Sequence, residues 1–176
     1  MARILVTGGI RSGKSAYAEQ RLADEPTVTY IAAGGPADPA DTEWLARIAT
    51  HQLRRPAHWT TLETADLPAA VRSHSEPIMV DSLGTWLTAM IDRFGAWDRP
   101  LAGWKDRFDT ELTELATAWQ AHPGPAVIVT NEVGWGLVAE YRSGRTFADL
   151  LGLTNQAIAA SSDEVIMVVA GRALSL

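Results

Sequence analysis

The chain has 176 residues, 47% hydrophobic and 20% charged, which excludes a disordered or fibrous polymer and allows a sizeable buried core. Its formal charge of −6, from 15 basic and 21 acidic side chains, argues against a general nucleic-acid binder, whose affinity rests on cations that neutralise backbone phosphates. The absence of cysteine excludes disulfides, thiolate zinc sites and iron–sulfur clusters, so any metal must take oxygen or imidazole ligands.

The first predicted element is Arg3-Ile4-Leu5-Val6-Thr7, a short apolar run suited to a buried parallel strand. Gly8-Gly9-Ile10-Arg11-Ser12-Gly13-Lys14-Ser15 follows at once and completes a G-x-x-x-x-G-K-[ST] phosphate loop. The chemistry needs these residue types. Glycines let backbone N–H groups turn inward around phosphate oxygens, Lys14 brings a point charge to the β and γ phosphates, and the Ser15 hydroxyl is a ligand for Mg2+. The run from Ser15 to Leu22 reads as a helix whose N-terminus would aim its positive end at the phosphates. Met1-Ala2-Arg3 leads straight into the strand, and no apolar run approaches the ~18 residues of a membrane span. The sequence therefore reads as one with neither signal peptide nor membrane segment, and a cytoplasmic location is expected.

Residues Thr27 to Ala32 are predicted as a second strand, Ala33 to Pro39 as a loop, and Asp41 as the start of a helix running to about Leu53. On that helix Trp44 and Ile48 share one face, and Arg47 and His51 share another at the same spacing. A short extended segment, His58 to Leu62, and a helix, Leu67 to Ser73, come next. Pro77-Ile78-Met79-Val80-Asp81-Ser82 is an apolar strand ending in a carboxylate, the form of a Walker B segment, which predicts that Asp81 shares the Mg2+ shell with Ser15. Helices are predicted over Leu83 to Arg93 and Leu101 to Ala121, with a loop around Gly95 to Pro100. The second helix directs Trp104, Phe108, Leu112, Leu115 and Trp119 into the core. Ala126 to Thr130 is a strand that runs into the loop Asn131-Glu132-Val133-Gly134-Trp135-Gly136 at the active edge. Thr146 to Ala160 is the last long helix, and Glu164 to Ala170 the last strand. The alternation predicts one domain of three-layer α/β architecture, a RecA-like P-loop NTPase with a mostly parallel central sheet.

A phosphate loop fixes the class of ligand and leaves the reaction open. The chain lacks the N-K-x-D stretch by which switch GTPases read guanine, and it lacks the length and basic surface of a nucleic-acid motor, which leaves small-molecule phosphoryl or nucleotidyl transfer. A monofunctional small-molecule kinase and a GTP-dependent regulatory module are the competing readings. A neutral imidazole is nucleophilic near neutral pH. The residues alone do not choose among His51, His58, His74 and His122.

Nine blocks, in order, carry a resemblance that covers nearly the whole chain. They are Leu5 to Ser15; Tyr30-Ile31-Ala32; Ala46-Arg47-Ile48 with His51; Arg55-Pro56-Ala57-His58-Trp59 with Glu63; Val80-Asp81; Trp86-Leu87; Thr130 to Gly136; Asn155-Gln156; and Asp163-Glu164-Val165. In these the chain resembles the bifunctional adenosylcobinamide kinase / adenosylcobinamide-phosphate guanylyltransferases of cobalamin assembly. The resemblance implies two reactions: phosphorylation of a terminal hydroxyl of adenosylcobinamide from a nucleoside triphosphate, ATP or GTP, and then transfer of GMP from GTP to the phosphorylated corrinoid. It implies that His51 is the residue that becomes guanylylated, and that Lys14 serves catalysis from the phosphate loop. It further implies nucleotide contacts at Ile31-Ala32-Ala33, at Gln52-Leu53-Arg54-Arg55 and at Glu63, whose carboxylate suits the N1 and N2 donors of guanine. The implied partners are the corrinoid, the nucleotides and further copies of the chain in a homo-oligomer, with no nucleic acid. Ser82, Gly84, Ala89, Ala139 and Ala148 depart from the residues common in the family at those positions, which bears on corrinoid contacts more than on nucleotide contacts.

Overall fold

The structure, a computed structural model, describes residues 2–34, 40 and 42–176. Its elements are β1 (Arg3–Gly8), α1 (Lys14–Arg21), β2 (Thr29–Ala32), α2 (Thr42–Arg54), β3 (Thr60–Glu63), α3 (Leu67–Ser73), β4 (Ile78–Asp81), α4 (Leu83–Phe94), α5 (Lys105–Ala121), β5 (Ala126–Val129), α6 (Arg142–Ala160), β6 (Glu164–Val169) and β7 (Arg172–Ser175). The strands form one seven-stranded sheet in the order β3-β2-β4-β5-β1-β6-β7. All neighbours are parallel except β7, which runs antiparallel to β6. The phosphate-loop strand β1 and the Asp81 strand β4 are therefore separated by β5, the arrangement expected of a RecA-like sheet.

Because side chains alternate along a strand, the central strands supply two apolar faces at once. Leu5, Ile31, Val80 and Ile128 face the larger core with Leu67, Trp86, Phe108, Leu115, Trp119 and Leu151 from α3 to α6. Ile4, Val6, Tyr30, Met79, Val127 and Val129 face the smaller one, which includes Ala18 of α1 and Trp59. Trp86, Phe108 and Trp119 are wholly buried, and truncation of such a side chain costs about 3–5 kcal/mol.

Helix bounds that rest on local capping match the sequence closely. Asp66 caps α3 by accepting from the Ala69 N–H at 3.1 Å. Ser82 and Thr85 form a capping box at the start of α4, and Gly95 closes that helix in the left-handed conformation at φ 57°.

The differences from expectation are non-local in origin. The helix predicted from Leu101 is divided: Leu101–Gly103 is a 3-10 turn, and α5 starts after Trp104, whose φ of −148° is not helical and whose indole packs in the core edge-to-face against Phe94. Helix α6 starts at Arg142, four positions before Thr146, because the Arg145 guanidinium binds the carbonyls of Ala139 and Glu140 at 2.8 and 2.6 Å and so fixes its first turn. Strand β7 was not foreseen. It returns on β6 through the two-residue turn Ala170-Gly171, both at positive φ, as short antiparallel hairpins require. Residues 35–39 of the loop expected over Ala33 to Pro39, and the helix start expected at Asp41, lie outside the described residues.

Candidate nucleotide-binding and catalytic site

The phosphate loop leaves the carboxyl end of β1 and is shaped by close approach. A Cβ on Gly8 would stand 2.4 Å from the Val168 carbonyl oxygen and 2.7 Å from Ser12 Oγ, so only glycine fits there. Gly13 precedes α1 at φ 96°, against Gly171 of the hairpin turn. The loop is tied internally by Ser12 N–H to the Gly9 carbonyl at 3.2 Å, and to the hairpin by Gly171 N–H to the Ser12 carbonyl at 2.8 Å. Lys14 Nζ lies over the loop, donating to the Gly9 carbonyl at 3.3 Å. No side chain caps the N-terminus of α1, so its first N–H groups face the loop's concavity. Ser12 Oγ is buried with no hydrogen-bond partner among the described residues. Orphan donors, a lysine and a helix N-terminus together make an anion cradle.

Register places the other nucleotide candidates on the same edge. Val6 pairs with Val129, Val129 with Asp81, Asp81 with Ala32, and Ala32 with Glu63, one row across five strands. At about 4.8 Å per strand, Asp81 stands ~10 Å from the β1 backbone and Glu63 ~19 Å. The Ala33 N–H donates to the Asp81 carbonyl at 3.4 Å, which holds the end of β2 at this edge. Ile31 does not present its side chain here. It is wholly buried in the larger core, so it can reach a ligand only through its backbone.

His51 lies in the last turn of α2, with Gln52, Leu53 and Arg54. The side chains of Trp44, Arg47, His51 and Arg54 lie outside the described residues, so their facial pairing rests on helical spacing alone. Gln52 and Leu53 are exposed. Just past the helix, Arg55 anchors it to the sheet: its guanidinium stacks 3.7 Å from the centroid of Tyr30 and donates to Thr61 Oγ1 at 3.0 Å. Tyr30 in turn donates its hydroxyl to Asp81 Oδ2 at 3.2 Å. Burial raises the Tyr30 phenol well above its ordinary range, with Asp81 pushing the same way against Arg55. A contact chain Arg55–Tyr30–Asp81 thus joins the end of α2 to β4.

Ser15 and Asp81 offer the hydroxyl and carboxylate oxygens that a hard cation prefers, beside an anion cradle that only glycine permits, so these residues fit Mg2+. Among the described residues no cluster of three or more His, Cys, Asp or Glu side chains could hold a metal alone. That suits an ion completed by phosphate oxygens and water.

His58, His74 and His122 take structural places. His58 Nε2 meets the Glu25 carbonyl at 3.3 Å, and His74 Nδ1 the Ala70 carbonyl at 2.8 Å. His122 is buried between α5 and β5, and burial lowers its pKa. Trp135 is 74% exposed, whereas Trp97 packs partly buried against the core. Reading the sequence missed the hairpin turn behind the loop, which a Gly171 between two apolar-alternating runs signals. It also assigned no role to Thr7 and Glu132, which the fold brings together, or to Asn155, which binds the Asn131 carbonyl just before Glu132.

The sequence model of the CobU family, described as cobinamide kinase / cobinamide phosphate guanyltransferase, matches residues 4–176. The bifunctional adenosylcobalamin biosynthesis protein CobU of Salmonella typhimurium is 40% identical over 181 residues, 96% of this chain and 96% of its own. CobU of Escherichia coli is 38% identical over 178 residues, again 96% of each chain. The bifunctional adenosylcobalamin biosynthesis protein CobP of Pseudomonas aeruginosa is 38% identical over 179 residues, 99% of this chain and 96% of its own. Among solved structures, a prototypical ATPase from the type III secretion system of pathogenic bacteria superposes with a TM-score of 0.56 at 12% identity, over 94% of this chain and 50% of that one. That likeness is one of fold alone.

Proposed function

The chain belongs to the cobinamide kinase / cobinamide phosphate guanyltransferase family, and from that premise we propose how its residues divide the two reactions. The carrying observation is the match over residues 4–176 in a chain whose phosphate loop is complete.

In the kinase reaction the cradle from Gly8 to Ser15 binds the triphosphate through backbone N–H groups. Lys14 neutralises charge that builds on the transferring phosphoryl group, and positioning with electrostatics does most of the work. Ser15 and Asp81 hold Mg2+, which when bound supplies further charge neutralisation. The corrinoid's terminal hydroxyl receives the phosphoryl group and a nucleoside diphosphate leaves.

In the guanylyl transfer a ring nitrogen of His51 attacks the α-phosphorus of GTP, a P–N bond forms and pyrophosphate departs. A phosphate oxygen of the phosphorylated corrinoid then attacks the same phosphorus and His51 leaves, giving adenosylcobinamide-GDP. Two displacements replace one difficult transfer. Arg54 and Arg55 follow the nucleophile closely enough to contact its nucleotide, Ala32 and Ala33 supply backbone at the edge, and Glu63 accepts from guanine N1 and N2.

The enzyme works in the cytoplasm as a homo-oligomer. A cysteine-free chain suits a reducing compartment, and the exposed apolar run Trp135, Leu137, Val138 and Tyr141 supports burial against another copy. No helix among the described residues is long and apolar enough to cross a membrane.

The test is incubation with Mg2+ and α-labelled GTP, then denaturation. Acid-labile, base-stable label that disappears in His51→Ala supports the assignment, whereas label persisting in that variant removes His51 from the mechanism. An enzyme that neither takes label nor phosphorylates cobinamide overturns the reading as a whole.

A further inference from the structure

The loop after β5 carries a carboxylate that the two reactions above leave unused. Strand β5 lies between β1 and β4, so its carboxyl end overhangs the space between the phosphate loop and Asp81. Glu132 N–H donates to the Gly8 carbonyl at 3.2 Å, placing its main chain against the first residue of the phosphate loop. Thr7, buried and immediately before Gly8, donates its hydroxyl to Glu132 Oε1 at 2.8 Å. The loop is also fixed from the other side. Thr130 Oγ1 donates to Asn155 Oδ1 at 2.6 Å, and Asn155 Nδ2 donates to the Asn131 carbonyl at 3.1 Å. Among the described residues Glu132 Oε2 takes part in no hydrogen bond, and the side chain is half-buried.

A carboxylate held beside a phosphate cradle repels the ligand, so it is out of place as a nucleotide contact. It is well placed to take a proton. Of the carboxylates along this edge, Glu63 is on the outermost strand and Asp81 is two strands from β1, bound by Tyr30; Glu132 follows the strand that adjoins β1. We infer that Glu132 is the general base of the kinase reaction, with Thr7 as its positioning residue. This rests on the kinase reading above. The hydroxyl O–H bond of the corrinoid breaks and its proton goes to a Glu132 carboxylate oxygen. The hydroxyl oxygen bonds to the γ-phosphorus, and the bond from that phosphorus to the bridging oxygen breaks with its electron pair, releasing the nucleoside diphosphate.

The experiment compares wild type, Glu132→Gln, Glu132→Asp and Thr7→Val in two assays, cobinamide phosphorylation and label on His51 from α-labelled GTP. Expected for Glu132→Gln are a fall in kinase kcat of roughly 10²–10⁴-fold with little change in KM for the nucleotide, loss of the acidic limb of the kinase pH–rate profile, and unimpaired labelling of His51. Glu132→Asp should recover part of the rate, and Thr7→Val should shift the acidic limb without abolishing it. Kinase turnover within about threefold of wild type in Glu132→Gln overturns the assignment, since a general base contributes at least ~10²-fold. Parallel loss of both reactions also overturns it, by making the carboxylate a prop for the phosphate loop. Should Glu132→Gln not fold, an acidic limb unmoved in Thr7→Val has the same consequence. Failure of the family reading is separately visible, as absence of cobinamide phosphorylation by the wild type.

Discussion

The phosphate loop and the helix that carries His51 are built to different standards. The loop sits at the centre of the sheet, where β1 and β5 are buried, and it is bonded to the β6–β7 turn behind it and to the β5 loop beside it. Helix α2 lies toward the sheet's edge: none of its described side chains is buried, Leu53 is 88% exposed, and β3 after it is an edge strand with Thr60, Thr61 and Glu63 exposed. Among the described residues it is tied inward by Arg55, just past its end, which stacks on Tyr30. In the proposed division of the reactions the cradle serves both and gains from rigid pre-organisation, because misplaced donors lose transition-state stabilisation. In the same proposal α2 takes up GMP and passes it on, and so belongs among the parts with fewer buried contacts, which open at lower cost.

Substitutions grade that contrast. Lys14→Ala should have the largest effect, lowering both phosphorylation and His51 labelling by at least ~10²-fold in the paired assays; near-normal turnover in either would mean the two reactions do not share the loop. His51→Ala should abolish guanylyl transfer and leave phosphorylation within about twofold, which product analysis with the two substrates supplied in turn would read. Equal loss of both would erase the distinction between the regions. Gly8→Ala probes the rigid side without removing a functional group: its Cβ meets the Val168 carbonyl, so we expect a destabilisation of roughly 1–3 kcal/mol and weaker nucleotide binding. At roughly 2–4 °C per kcal/mol for a chain of this size, a thermal melt resolves it.

The smallest effect concerns the link between the regions. The Tyr30 phenol is raised in the fold, whereas in the unfolded chain it ionises near pH ~10. Its contribution to stability is thus fully present below pH ~10 and declines as pH rises above that value toward the folded pKa. Tyr30→Phe should flatten this alkaline decline in melts taken across pH 9 to 11, and at neutral pH it should cost only the ~1 kcal/mol of one hydrogen bond. An unchanged alkaline limb would mean that Tyr30 is not the group that titrates.

How much could be read in advance follows the range of the interactions. The strand–loop–helix of the phosphate site and the bounds of α3 and α4 are legible because each rests on neighbours a few residues apart: the glycine spacing, the Asp66 cap, the Ser82 capping box. The break before α5 was illegible because helical periodicity continues through Leu101–Gly103, while the buried site against Phe94 draws Trp104 out of helical φ. The early start of α6 was hidden for a similar reason, since Ser143-Gly144 reads as loop until Arg145 binds the carbonyls before it. The site divides along the same line. The cradle, Asp81 and the helical place of His51 were visible as motifs, whereas Glu132 was visible only as part of a loop at the active edge.

By itself the sequence determined the class of ligand, the alternation of strands and helices, and the family, because these depend on residue identity and short-range spacing. Tertiary structure decided that Glu63, Ala32, Asp81, Val129 and Val6 share one row, that the Ala170-Gly171 turn backs the phosphate loop, and that Thr7 meets Glu132 from 125 positions away. Strand order follows from which pairings bury both faces of the sheet together, a sum over distant residues that no local window contains.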